Sequence, residues 1–174
     1  IQNYVNKYVG NYTYYKIMAD RAATYMPFIE DAFSLMGVPK DLMYIAIQES
    51  ALRGGAVSPS NAVGFWQFKD FTAREVGLTV DRDIDERKHI FRASIGAAKY
   101  FKANYKRYDN WVYAVISYMT GGTGAKPYTD EKYVGATEMV IDENLHWYAA
   151  KAIAHRIAYA PAIEDVEQPK VRLY

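Results

Sequence analysis

The stretch LMYIAIQESALRGG, residues 42–55, carries a single carboxyl group, Glu49, at the end of an apolar run. On a helix, Leu42, Ile45, Ala46 and Glu49 share one stripe, at offsets of three, four and seven. Glu49 then points with the apolar face. A carboxyl held against apolar surface resists ionising, and its pKa rises. Such a group is a general acid near neutral pH. The same residue also reads as a helix-end Glu turned to solvent or paired with Arg53. Downstream the polar residues are spaced: Ser58-Pro59 comes nine positions later, and AVGFWQF places Gln67 eighteen positions after Glu49. YDNWVYAVISYMTG then carries Trp111 and Tyr118 on a helix ahead of a Gly-rich loop.

Other chemistries fail on their own terms. DRDID, residues 81–85, has the alternating acids of a calcium loop, but the sixth position is Glu86 where Gly is needed and the twelfth is Arg92 where Glu is needed. It reads as a solvated helix start. GGTGAK, residues 121–126, lacks the spacing of a phosphate loop and the Ser or Thr after Lys. His89, His146 and His155 fit no metal spacing, and Ser50 lacks the Gly frame of a nucleophile elbow. The chain has no Cys, which excludes disulfides and thiol nucleophiles. No metal and no cofactor are expected.

The elements that must position Glu49 read as helices. The 174 residues suit one domain, and 51% hydrophobic residues supply a core. Apolar spacing predicts helix over 12–36, with a break or bend at Pro27 and a C-cap at Gly37. Pro39 opens the next helix, over 40–52. Residues 53–61 are loop, and VGFWQF is a short strand or tight turn. Asp70 starts a short helix ending at Gly77. An Asp83–Glu86 capping box precedes a helix over 90–108, Asp109 caps one over 111–119, and Asp142 caps a last helix that Pro161 ends. The fold class is mostly α: a helical bundle around a cleft with at most a small β element. The domain is expected over 1–160, with 161–174 a tail or linker.

Net charge is +1, so nothing argues for nucleic acid. No apolar run approaches the roughly 20 residues of a membrane span. Aromatic content is 16%, with 17 Tyr, which suits either a saccharide groove or a Tyr-rich core.

The spaced block from Glu49 to Gln67 resembles the family 1 lytic transglycosylases, glycoside hydrolase family 23, which share the lysozyme-like fold. That family reads E-S, then S-P or a similar turn, then G-[LIV]-[MW]-Q, then A-Y-N-x-G. The upstream RAATYMPFIEDAFSLMGVPKDLMYIAIQESAL is similar to the membrane-bound type D subgroup, and the resemblance covers roughly residues 21–124. It implies that Glu49 is the only catalytic carboxyl, acid and then base. It implies that Ser58 orients the carboxylate or the substrate's acetamido group, that Gly64 lets backbone approach the sugar, that Gln67 contacts the glycan and that Tyr118 hydrogen-bonds near Glu49. Phe65, Trp66 and Phe68 are placed either on sugar faces or in the core. The family's A-Y-N stands here as Ser117-Tyr118-Met119, and Met119 lacks the amide hydrogen bonds of Asn.

The implied reaction cleaves the bond between N-acetylmuramic acid and N-acetylglucosamine and closes an anhydro ring. Two alternatives remain: a hydrolytic muramidase of the goose-lysozyme type, and a peptidoglycan-binding module that does not cut. The expected partner is the peptidoglycan glycan strand, in the periplasm or cell envelope, with any signal, membrane anchor or wall-binding domain outside this chain.

Overall fold

A computed structural model describes residues 1–164. Among them are seven α-helices: α1 (Gln2–Gly10), α2 (Tyr12–Met36), α3 (Ile45–Ser50), α4 (Asp70–Glu75), α5 (Ile90–Tyr108), α6 (Trp111–Thr120) and α7 (Trp147–Glu164). The fold is mostly α. Its β content is three isolated bridges, Val57 with Val63, Val63 with Phe68, and Val80 with Asp85.

The long α2 buries Met18, Ala22, Met26, Ile29, Ala32 and Phe33 at helical spacing. Asn11 caps its start by accepting the Tyr14 N–H. Gly37, at φ 69°, ends it while Val38 N–H bonds back to the Phe33 carbonyl. Pro27 lies inside this helix, so of the two alternatives above the break is excluded. Pro27 lies on the exposed side with Ala23, so water can take the carbonyl that Pro27 leaves unbonded. The buried side, Met26 and Ile29, keeps its packing.

α5 packs on α2 and α6. Its buried face is built of small residues, Ala93, Ala97 and Ala98, and Phe101. α7 lies against α1, α2, α3 and α6, so the short α3 is covered by α7. The predicted helix over 40–52 divides into a 3₁₀ turn (Lys40–Tyr44) and α3, which stops at Ser50 because Ala51 and Leu52 both adopt left-handed backbone, φ 54° and 55°.

Three predicted caps are corrected. His89 Nδ1, not the Asp83–Glu86 box, accepts from the start of α5. Asn110, not Asp109, caps α6, by accepting from Val112 and Tyr113; Asp109 instead closes α5 in left-handed backbone. His146 Nδ1 accepts the Tyr148 N–H at the start of α7, while Asp142 serves its own turn at Asn144. At α5 and α7 an imidazole Nδ1 takes the place of the expected acid, and at α6 an amide oxygen does. α7 also continues through Pro161 to Glu164. The carbonyl this Pro leaves unbonded belongs to Ile157, which is exposed. The rest of the predicted tail lies outside the described residues.

Candidate active site

Glu49 is half-buried near the end of α3, and its neighbours anchor it in opposite directions. On one side, the Ser50 hydroxyl donates to the Phe65 carbonyl at 2.8 Å and accepts the Arg53 N–H. That ties the acid's helix to the turn over residues 63–68. On the other side, Gln48 Nε2 donates to the Tyr148 carbonyl at 3.2 Å, tying the same helix to α7. Glu49 Oε1 accepts a hydrogen bond from the Tyr148 hydroxyl. Arg53 is not its partner; that guanidinium donates to the Ser50 carbonyl.

Burial raises the Glu49 pKa, and the Tyr148 hydrogen bond lowers it in part. Burial and the Glu49 charge push the Tyr118 and Tyr148 phenols well above their usual range, so both remain donors. No metal-binding cluster of three or more His, Asp or Glu occurs among the described residues.

The turn is braced on almost every polar group. Val63 and Phe68 exchange both backbone bonds, at 3.0 and 3.2 Å. The Trp66 carbonyl accepts from the Tyr118 hydroxyl at 2.6 Å. The Phe68 carbonyl accepts from Arg87, whose guanidinium is forked on Asp85. Gln67 stands in left-handed backbone, φ 53°, and its Nε2 donates to the Ala56 and Gly64 carbonyls. Ser58 Oγ accepts the Ala62 N–H at 3.0 Å and closes the loop ahead of the turn.

Several residues singled out in the sequence therefore sit differently than expected. Trp66 is 0% exposed. Its indole N–H donates to Ser94 Oγ, and its ring packs on Phe33, Phe101 and Tyr118. A ring enclosed on all sides offers no face to a sugar, so Trp66 is a core residue. Phe65 and Phe68 are also buried, and of the two only Phe68 lines the cavity described below. Gly64 is required by backbone, not by a sugar: at φ 88°, an added Cβ would stand 1.9 Å from the Arg87 carbonyl oxygen. Tyr118 feels the Glu49 charge but donates to Trp66; the hydroxyl on Glu49 is that of Tyr148.

Tyr148 does not stand out in the sequence because it lies 99 residues from the carboxyl it meets. The signal available was a phenol on a face that also carries an imidazole. Beside Tyr118 opens a cavity of about 340 Å³ with Gln67, Phe68, Lys69, Tyr100, Met119 and Thr120 in its wall. It joins Gln67, Phe68 and Tyr118 and places Met119 with them. A larger apolar cavity, about 360 Å³, lies elsewhere, between Leu42, Val112 and Ile153.

The family model for the transglycosylase SLT domain matches residues 26–140. The chain belongs to this family. It is 30% identical over 122 residues to membrane-bound lytic murein transglycosylase D of Escherichia coli strain K12, a match covering 70% of this chain and 27% of that protein. The same figures hold for the protein of that name from Escherichia coli O6:H1 strain CFT073. The chain thus spans about a quarter of the length of these curated relatives. Tyr148 lies just beyond the end of the SLT match.

Proposed function

We propose that this SLT domain is a peptidoglycan lytic transglycosylase with Glu49 as its acid and then its base. The observation that carries the reading is a half-buried carboxyl whose pKa is raised by burial, held by one phenol and close to a second that lines a cavity. Glu49 protonates the oxygen linking N-acetylmuramic acid to N-acetylglucosamine as the bond to the muramic C1 breaks. The acetamido oxygen of the same sugar stabilises the cation at C1. The Glu49 carboxylate then takes the proton of the C6 hydroxyl, whose oxygen bonds C1 and closes the anhydro ring. No water enters the products.

A one-acid mechanism is supported by the surroundings of Glu49. Its pKa is raised by burial rather than by a neighbouring carboxylate. Asp70, the acid closest after it in sequence, is paired with Arg74 at 2.6 Å. A muramidase would need a second acid to position water. Within this reading Gln67, Tyr118 and Phe68 face the glycan, and Ser58 and Gly64 act by shaping the loop. Met119, 51% exposed, stands on the cavity wall where an amide would otherwise bind.

No helix among the described residues is long and apolar enough to cross a membrane. A peptidoglycan substrate implies action outside the cytoplasmic membrane. The test is a digest of purified peptidoglycan read by mass spectrometry beside Glu49→Gln. Anhydro-muramic ends from the parent alone support the proposal. Reducing ends move the answer to a muramidase, and binding without release to a module that does not cut.

A further inference from the structure

His155 has no task in the chemistry above, yet it is a buried imidazole two turns along α7 from Tyr148. Its ring stacks on Tyr8 of α1, centroids 4.1 Å apart, and lies nearly parallel to Tyr159 at 6.1 Å. Its Nδ1 is 3.0 Å from the Lys151 carbonyl and 3.1 Å from Gln48 Oε1. A carbonyl only accepts, so Nδ1 carries the proton. Gln48 Nε2 is committed to the Tyr148 carbonyl. The amide therefore shows its oxygen to His155 and its nitrogen to Tyr148. Reversing it would set NH₂ against N–H at one end and oxygen against oxygen at the other.

We propose that His155, acting through Gln48, is a positioning residue for the reaction: it fixes the Gln48 amide on the Tyr148 main chain and so sets the reach of the Tyr148 hydroxyl to Glu49. Gln48 and Glu49 are successive residues that grip the same tyrosine, one by its backbone and one by its side chain. A small rotation of the amide thus moves the hydroxyl relative to the acid. His155 itself touches neither Glu49 nor the glycan. Burial lowers its pKa to about 4, which keeps the ring neutral and its Nδ1 proton in place near neutral pH. The proposal rests on the reading of Glu49 as the acid.

Two substitutions separate the hydrogen bond from the packing. His155→Phe keeps a flat ring for Tyr8 and removes the donor. His155→Asn keeps a donor near the Nδ1 position and removes the ring. Positioning predicts that His155→Phe lowers kcat about tenfold, with KM within about twofold and melting near the parent's. His155→Asn melts lower but keeps kcat near the parent's. Gln48→Met, at a half-buried position, loses the same factor in kcat. The double variant His155→Phe/Gln48→Met loses no more than either alone.

Parent kcat in His155→Phe, equal losses in the Phe and Asn variants, or losses that multiply in the double variant each overturn the proposal. Should His155→Phe fail to fold, Gln48→Met decides: parent kcat in that variant overturns it. Glu49→Gln is assayed alongside. If Glu49→Gln still forms anhydro ends, the acid is misassigned and both readings fall. If it is inactive while His155→Phe matches the parent, only the positioning role falls.

Discussion

The two sides of Glu49 are built differently. Toward α7, Gln48 meets Tyr148 and His155, and the Tyr148 phenol reaches the acid directly. Toward the 63–68 turn, nearly every contact holds backbone: Ser50 on Phe65, Tyr118 on Trp66, Arg87 on Phe68, Gln67 on Gly64. The more distinctive sequence lies on the second side, and the hydroxyl on the acid lies on the first. A motif can be distinctive because a turn is hard to build, with no need for each of its residues to meet substrate.

Substitutions on the two sides should separate activity from stability. The largest expected effect is Glu49→Gln, a loss of about a thousandfold or more in kcat. The same variant should be more stable than the parent at neutral pH. Burial raises the folded-state pKa, so the protonated form's stability is full below the ordinary carboxyl pKa and lost as pH rises through the folded value. The gap in denaturant midpoint between the Glu49→Gln variant and the parent should close as the solution is acidified. A gap that is constant with pH would mean Glu49 is not the cause.

Next is Gly64→Ala, which drives a methyl into the Arg87 carbonyl from a left-handed backbone. It should cost about 3 kcal/mol or more in urea unfolding, enough to leave little folded protein. An unaltered midpoint would show that the turn is free to move. Trp66→Phe leaves Ser94 without the indole donor and a gap in the core. The expected cost is about 1–3 kcal/mol, with KM unchanged. A raised KM with full stability would return Trp66 to the glycan side of the comparison.

Tyr148→Phe tests the other side. Its hydroxyl lowers the Glu49 pKa, so removing it raises that pKa and keeps the acid protonated to higher pH. The alkaline fall in kcat/KM should move upward in pH, with little change in melting. A downward move would exclude the hydroxyl as the acid's partner. The smallest effect is Met119→Asn. One restored amide hydrogen bond on the cavity wall should raise kcat/KM about threefold. A fall would show that Met119 itself packs usefully against the glycan.

Glu49, Gln67 and Tyr118 were legible as candidates because their spacing matched a known pattern, and the helical class followed from apolar periodicity. The β content was legible as a minor feature for lack of alternating runs. What escaped were contacts between distant parts of the chain. Nothing near Tyr148 in sequence says which carboxyl its hydroxyl meets, and nothing near Gly64 says that Arg87 lies behind it. The caps escaped for a local reason: an imidazole Nδ1 accepts as an Asp does, and His89 and His146 took positions assigned to acids. Pro161 misled because a helix tolerates Pro when the carbonyl it releases faces water.

Glu49 and Tyr148 stand 99 residues apart in the chain. α7 leaves the ribosome last of the seven helices. Until it docks, Glu49 lacks the Tyr148 phenol, and Gln48 lacks the Tyr148 carbonyl and the His155 imidazole. On the proposed reading, the acid gains its hydrogen-bond partner only when the seventh helix is in place. Removing α7 therefore removes the acid's hydrogen-bond partner.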